Sequence, residues 1–285
     1  RTMENLMTGP YVFIEAARSP AFRKMAYFNK AAFKNYSYLI DEHGCTGFSI
    51  EVEDVAEDKL QDYFSPDFSS IRKKGDIVEI GIVGSGAFSE DFDLDVFKNF
   101  PNIRKITTHG ISFRSRLPEL FPKLETWLNL DWKTNKVENL GNGWPDLKNL
   151  ALHGFSGSLA LFEKSPITKL FLISSSIKGI DDVLRFKDLE VLQLVSSKIT
   201  GDVSRLSELA KLRSLRFEGK NKLDGWDKLA SRSVENFEAS HYPCKFPREN
   251  FPQLENYVIN AYRARDPFYE EGGDYDALGD EFAAL

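Results

Sequence analysis

The chain has 285 residues, of which 42% are hydrophobic and 28% charged, and its formal net charge is -6. This composition is typical of a soluble globular protein, and the mild acidity argues against a nucleic-acid binder, which needs an excess of Lys and Arg. Two cysteines are too few for a disulfide framework or a zinc quartet. No apolar run approaches the ~18 residues of a membrane helix, and the run at residues 11–14 is too short for a signal peptide. We expect a soluble, cytoplasmic protein that binds neither nucleic acid nor membranes.

Residues 1–76 predict a small segment of helices and a strand. A first helix is expected to begin at Ser19-Pro20, where proline suits the first helical turn. The apolar residues that follow at helical spacing are Phe22, Met25, Ala26, Ala32, Phe33 and Tyr36. The alternating apolar residues Phe48, Ile50 and Val52 predict a strand. A second helix is expected around Val55, Leu60 and Phe64, ending before Pro66.

From residue 77 to residue 262 the chain repeats itself. An aromatic residue and a proline precede an apolar anchor, and further apolar residues follow three and five positions later; this phrase begins at Phe100, Phe121, Trp144 and Phe251. Other units keep the apolar positions without the aromatic-proline pair. The anchors are residues 77, 103, 124, 147, 167, 189, 212, 234 and 254, at intervals of 20 to 26 residues. Such a period predicts a solenoid in which stacked units bury their apolar rows.

This pattern resembles the L-x-x-L-x-L half of the leucine-rich repeat, whose period is about 20 to 29 residues. The resemblance implies an α/β solenoid, a leucine-rich-repeat horseshoe of about nine irregular repeats, in a protein from a bacterium. Residues 1–76, which do not follow the period, are then expected to form an α+β N-terminal cap over the first open core. A small domain with a function of its own is the alternative for that segment.

Two departures from the pattern carry expectations. The asparagine that follows the leucines in the family is mostly absent, and Ser85, Ser175 and Ser197 stand at that position in three units. Their hydroxyls can replace part of an asparagine ladder. The unit at Leu124 reads Trp127-Leu128-Asn129-Leu130, which predicts one extra residue or a β-bulge.

The C-terminal segment, residues 263–285, is acidic. From Asp266 onward it contains seven Asp or Glu and no Lys or Arg, so residues 1–265 have a net charge of +1. The acids and glycines are typical of a mobile tail. Its apolar residues favour a different interpretation, in which the tail folds back as a cap or docks on a partner. They are Phe268, Tyr269, Tyr275, Leu278 and Phe282.

No enzyme signature or metal-binding motif is evident, and we expect no catalytic residue, metal or cofactor. His43 and Cys45 lie two positions apart and are the best candidates for a base and a nucleophile. Neighbouring residues of an extended chain rarely point at one atom, however, and no orienting acid is evident. A histidine and a cysteine without catalytic function is therefore the favoured interpretation.

The positions between the buried leucines predict the concave face of the solenoid. Phe171, Ile173, Val191 and Val195 fall in adjacent units and are expected to form an exposed apolar patch. The polar residues expected around it are Lys169, Gln193, His153, Arg216 and Glu218. An apolar centre with a polar rim is typical of a protein-binding surface. Coverage of the patch by the tail or by a second copy of the chain is the alternative.

These observations predict a non-enzymatic module that binds a protein partner through its concave face. Soluble bacterial repeat proteins of this size include immunity proteins that neutralise toxins, and the acidic tail favours a basic partner such as a nuclease toxin domain. Two alternatives stay open: an enzyme with a site near His43 and Cys45, and a self-associating structural protein that forms homo-oligomers.

Overall fold

A computed structural model describes residues 12–16, 24–29, 33, 35–53, 68–85, 94–111, 117–130, 143–219, 221–261, 267–279 and 281–285. The chain folds into two compact units, Arg1–Trp144 and Pro145–Leu285. Each unit is built on parallel strands that follow one another in chain order, which is the architecture of a leucine-rich-repeat-like solenoid. None of the described helices is long and apolar enough to cross a membrane.

The first unit contains one sheet. Its strands are β1 (Val12–Ala16), β2 (Lys24–Asn29), β3 (Gly47–Glu53), β4 (Glu79–Ser85), β5 (Lys105–His109) and β6 (Thr126–Leu130). Strand β1 pairs with β2 in antiparallel orientation, and β2 to β6 pair successively in parallel. Short helices connect them: α1 (Leu39–Glu42), α2 (Leu117–Leu120) and 3-10 turns at Phe68–Ser70, Lys74–Asp76 and Leu94–Phe97.

The N-terminal helix predicted through Met25 and Ala26 is wrong, because these residues lie in strand β2. Ala26 is buried and pairs with Phe48 of β3, so pairing along the sheet outweighs the helical spacing of the apolar residues. Phe33 and Tyr36 are helical and β3 contains the predicted strand. The predicted helix start at residues 19–22, Ala32 and the second helix at residues 55–64 lie outside the described residues. The parallel sheet therefore begins before the first repeat that the sequence predicts.

The second unit continues the same design. Its sheet consists of β7 (Asn149–His153), β9 (Lys169–Ile173), β11 (Val191–Val195), β13 (Ser214–Glu218), β15 (Asn236–Ser240), β16 (Asn256–Asn260) and β17 (Tyr269–Gly272). Strands β7 to β16 are parallel and β17 is antiparallel to β16. Two small parallel ladders lie in the connections, β8 (Ser156–Gly157) with β10 (Ser176–Ile177) and β12 (Thr200–Asp202) with β14 (Lys222–Asp224). Helix α3 (Ile180–Val183) and 3-10 turns at Leu159–Phe162, Val203–Glu208, Trp226–Lys228, Arg248–Asn250 and Tyr275–Leu278 complete the unit.

The repeat phrase sets the position of these strands. Strands β4, β5, β6, β7, β9, β11, β13, β15 and β16 each begin two residues after a predicted anchor. All nine anchors are at most 5% exposed. The aromatic residues that precede the prolines are also buried, at Phe100, Phe121, Trp144 and Phe251. Anchor, aromatic residue and strand therefore form one packing unit that the neighbouring units bury.

The predicted bulge in the unit at Leu124 is wrong, since β6 pairs residue by residue with β5. Trp127 and Asn129 take the two core positions and are each 1% exposed. Asn129 Oδ1 accepts a buried hydrogen bond of 2.8 Å from Thr108 Oγ1 on β5. This hydrogen bond pairs the Asn129 oxygen where other units bury leucines, whereas Asn129 Nδ2 is buried without a hydrogen-bond partner among the described residues.

Serine hydroxyls connect successive repeat units at Ser175 and Ser197, two of the three serines for which the sequence predicts this role. Ser175 Oγ accepts from the Phe155 amide at 3.1 Å and lies 3.1 Å from the Leu152 carbonyl oxygen of the preceding coil. Ser197 Oγ accepts from the Ser175 amide at 3.2 Å. Both serines are buried, and they satisfy backbone groups that would otherwise lose water without gaining a partner. The side chain of Ser85 lies outside the described residues.

Candidate functional site

The nine residues predicted to bind a partner lie on adjacent strands of the second unit. We call this side of the sheet, opposite the buried Leu170 and Leu172, the outer face. Strand pairing aligns Lys169 with Val191, Phe171 with Gln193, and Ile173 with Val195. The rows continue through His153 on β7 and through Arg216 and Glu218 on β13. The register therefore assembles the predicted set on one surface.

Two residues of the predicted exposed patch are completely buried. Phe171 and Val191 are each 0% exposed, in contrast to the expectation from sequence, and Gln193 is buried as well. At Phe171 the C-terminal segment contributes to this burial, because the ring of Phe282 packs edge-on against Phe171 at a centroid distance of 5.6 Å. Ile173 and Val195 stay partly exposed. The chain itself therefore covers the part of the patch at Phe171, and the part at Ile173 and Val195 stays accessible.

A carboxylate of the same segment anchors it to the sheet. Glu281 Oε2 accepts a hydrogen bond of 3.1 Å from Lys169 Nζ, and Glu281 Oε1 accepts one of 2.8 Å from Arg213 Nη1. Lys169 lies on β9 and Arg213 directly precedes β13, so the carboxylate lies across the start of β11, at Val191. The three side chains are between 20% and 35% exposed. Partial burial makes these charge-assisted hydrogen bonds stronger than ion pairs on the open surface.

The electrostatics of this contact favour the charged carboxylate. Burial alone would raise the pKa of Glu281, but hydrogen bonds from Arg213 and Lys169 outweigh it and lower the pKa of the carboxyl group below its ordinary value. Burial alone would lower the pKa of Arg213, and the bond to Glu281 raises it instead. The ionised pair is therefore the stable form at neutral pH.

The C-terminal segment reaches the outer face through a tight turn. After β17 the chain turns at Gly273, whose φ of +77° is in the left-handed region and where a Cβ would collide with the Glu255 carbonyl oxygen. The Asp274 amide then donates a hydrogen bond of 2.7 Å to Asn256 Oδ1 on β16. Asp274 Oδ1 in turn accepts from the Asp276 amide and caps the 3-10 turn that follows. Glycine and the two polar residues thus direct the tail back over the sheet.

The remaining charged residues of the predicted rim pair with each other. Arg216 Nη2 lies 3.1 Å from Glu218 Oε2, and its Nε lies 3.5 Å from Glu238 Oε2 on β15. Glu218 is half exposed, whereas Arg216 and Glu238 are about equally sheltered. This part of the outer face is a small charge network that stays in contact with solvent.

Three residues of the site were missing from the predicted binding set: Arg213, Glu281 and Phe282. Arg213 stands one position before its strand, so counting alternate strand residues does not include it. The tail carried a signal, since an acidic residue and an aromatic residue are adjacent in a segment without Lys or Arg. The sequence alone does not show that Lys169 and Arg213 are the cations that Glu281 contacts.

His43 and Cys45, the alternative candidates for a base and a nucleophile, do not line the same cleft. A cleft of about 450 Å³ in the first unit is lined by Cys45 together with Asp41 and Arg104. Cys45 is 4% exposed, and His43 is exposed at the end of α1 and is not among the residues lining the cleft. The cleft therefore does not bring the two residues to a common point.

Within the described ranges, no three His, Cys, Asp or Glu side chains are grouped so that they could hold a metal ion.

Comparisons with known proteins find similarity to solved structures. No family model matches the chain, and no curated protein matches its sequence. A similar solved structure is an internalin from Listeria monocytogenes, with 16% sequence identity and a TM-score of 0.41. The alignment covers 78% of this chain and 56% of the internalin, so the chain spans little more than half of that protein's length. At this TM-score the similarity supports no statement about activity or partners.

Proposed function

We propose that this chain is a non-enzymatic interaction module that binds a protein partner through the outer face of the second unit. The observation that carries the proposal is that this face already holds a peptide segment, residues 281–285 of the chain itself. It does so with an aromatic contact to Phe171 and with a carboxylate bound by Lys169 and Arg213. Buried aromatic residues and sheltered charge pairs are the contacts that dominate protein interfaces.

A more specific role follows from the charge of the tail. Glu271, Asp274 and Asp276 are exposed, and residues 266–285 contain no Lys or Arg. An acidic surface favours a basic partner and accelerates its association. We therefore extend the proposal to a cytoplasmic immunity protein that neutralises a basic toxin domain.

The test is affinity capture from native lysate with three versions of the full chain as bait. The wild type is compared with Glu281→Ala/Phe282→Ala, which removes the two tail contacts, and with Ile173→Glu/Val195→Glu, which changes the outer face. Ile173 and Val195 are partly exposed, so charges there are tolerated better than at the buried Phe171 and Val191. We expect a partner that is enriched by the first variant and lost with the second, and whose binding weakens as salt is raised.

Lys178→Glu/Lys198→Glu provides a control, because both lysines are exposed and lie in the connections outside the strands of the outer face. It makes the chain more acidic, as Ile173→Glu/Val195→Glu does. A partner lost equally with both variants, or no protein that distinguishes the wild type from Ile173→Glu/Val195→Glu, would contradict the proposal. Capture of this same chain alone, with a doubled mass in light scattering, would favour self-association instead.

A further inference from the structure

We propose that the outer face of the second unit recognises peptides in which a carboxylate residue is followed directly by an aromatic residue, and that Glu281-Phe282 is its intramolecular ligand. The inference rests on the proposed function, because it names the ligand chemistry of the same surface. A partner is then expected to present such an acidic-aromatic pair and to displace the tail.

The carboxylate half of the site consists of two cations, Lys169 and Arg213, and both bind Glu281. Lys169 has Asn149 and Val191 as its neighbours in register, and neither carries a charge. Of the carboxylates in the described parts of the chain, Glu281 is the one that forms an ion pair with Lys169. Arg213 is shared, since its Nε lies 3.8 Å from Glu190 and its Nη1 lies 2.8 Å from Glu281. Lys169 therefore selects an incoming carboxylate, and Arg213 supplies the second donor.

The aromatic half lies one row further along the strands. Phe171 stands between Ala151 on β7 and Gln193 on β11. Ala151 has a short side chain, so the face of the sheet beside Phe171 has room for an incoming ring. Phe282 packs against Phe171 with an interplanar angle of 69°, an edge-to-face geometry that aromatic pairs favour. Because consecutive residues supply the carboxylate and the ring, a dipeptide is enough to contact both halves.

The segment that occupies the site belongs to the same chain, so a ligand from outside has to compete with it. Ala283 and Ala284 are exposed, and the Leu285 amide donates to the Phe282 carbonyl oxygen within the segment at 3.1 Å. The adjacent side chains of Glu281 and Phe282 contribute the contacts with Lys169, Arg213 and Phe171. A tethered segment competes at an effective concentration of about 1 mM, so a free peptide binds the wild type weakly and binds an emptied site more tightly.

The test uses the full chain and a fluorescent peptide with the sequence of residues 279–285. The protein is compared as wild type and as Glu281→Gln/Phe282→Ala, which empties the site while leaving Lys169, Arg213 and Phe171 in place. We expect the variant to bind the peptide about tenfold or more tightly than the wild type, measured by fluorescence anisotropy. Peptides carrying Glu281→Lys or Phe282→Ala should not bind. Adding Lys169→Glu to the emptied protein should abolish binding of the unchanged peptide.

Circular dichroism and hydrogen exchange of strands β9 to β13 show whether the emptied protein keeps its fold. If the double variant does not fold, the single substitution Phe282→Ala provides a milder version of the same test. The proposal is overturned if a folded, emptied protein fails to bind the peptide at about 1 mM, or binds it no better than the wild type does. Equal binding of the Glu281→Lys peptide overturns it as well. These results leave the proposed partner binding standing if Ile173→Glu/Val195→Glu still loses a captured protein.

Discussion

Two lysines at equivalent positions of the two units bind carboxylates of very different origin. Lys105 opens strand β5 of the first unit, and its Nζ lies 3.0 Å from Oε1 of Glu79, the register partner at the start of β4. Lys169 opens β9 of the second unit, and its carboxylate comes from Glu281, 112 residues further along the chain. Both contacts are sheltered from solvent, with the first unit's pair at 14% and 12% exposure and the second unit's at 23% and 20%.

The difference arises from one position of the neighbouring strand. In the first unit the position beside the lysine holds glutamate, so the charge is satisfied within the sheet. In the second unit the same position holds Asn149 on one side and Val191 on the other. The repeat geometry is unchanged, but a cation without an acidic neighbour on the sheet takes a carboxylate from a separate segment. In this solenoid the residue beside one lysine therefore determines whether that lysine pairs within the sheet or with a separate segment.

The largest effect on docking of the tail is expected from Glu281→Lys. The change replaces two charge-assisted hydrogen bonds by repulsion from Lys169 and Arg213, and we expect it to weaken docking of the tail by about 2 kcal/mol. Hydrogen exchange of residues 267–285 should accelerate roughly 30-fold at neutral pH, because each 1.4 kcal/mol corresponds to about a factor of ten. Exchange in β4 and β5 of the first unit should stay the same.

Glu271→Lys is the matched control for this experiment, since it makes the same charge change in the same segment. Glu271 is exposed and contacts Tyr269 Oη within its own strand. If this control accelerates exchange as much as Glu281→Lys does, the net charge of the tail, and not the contact of Glu281, holds the segment in place.

Acid should produce a smaller version of the same effect. The pKa of Glu281 in the folded chain is below its ordinary value of 4.5, so its contribution to docking is complete above pH 4.5 and is lost as the pH falls through the lowered value. Protonation leaves weaker, neutral hydrogen bonds, and we expect a loss of about 1 kcal/mol, or roughly fivefold faster exchange of residues 281–285.

The measurement is hydrogen exchange between pH 6 and pH 3, corrected for the intrinsic effect of pH on exchange. Glu281→Gln lacks the titrating group and should show no such transition in the tail. Strands β9 and β11 report on general acid unfolding, so a transition that appears there at the same pH would refute the assignment to Glu281.

The fold could be predicted from sequence wherever one phrase recurs. A buried anchor two residues before each strand is a local rule, and it applies to residues as different as Ile77, Leu147 and Val234. Strand β2 escaped prediction because Met25, Ala26 and Phe33 also fit a helix, and the pairing that decides between them comes from β3. At Trp127 the sequence predicted a bulge because a polar Asn129 in the core is acceptable only with its partner, Thr108, on the next strand.

The candidate site could be predicted in part for the same reason. Register follows from the period, so Phe171, Ile173 and Val195 were correctly assigned to one surface. The coverage of Phe171 involves the tail residues Glu281 and Phe282, which contact residues 68 to 112 positions away without any periodic signal. Sequence showed that the tail was acidic and carried aromatic residues, and only three-dimensional contacts show which cations and which ring receive it.

The smallest effect is expected from a substitution that gives the second unit the charge arrangement of the first. Asn149→Glu places an acid beside Lys169 at the position that Glu79 holds beside Lys105. The new carboxylate competes with Glu281 for Lys169, while Arg213 keeps its own bond to Glu281, so we expect docking to weaken by only about 0.5 kcal/mol. Exchange of residues 281–285 should accelerate roughly twofold. Combining Asn149→Glu with Glu281→Gln should give less than the sum of the two effects, since both act on the same lysine. Full additivity of the two changes would show that the neighbour in register does not determine which carboxylate this lysine binds.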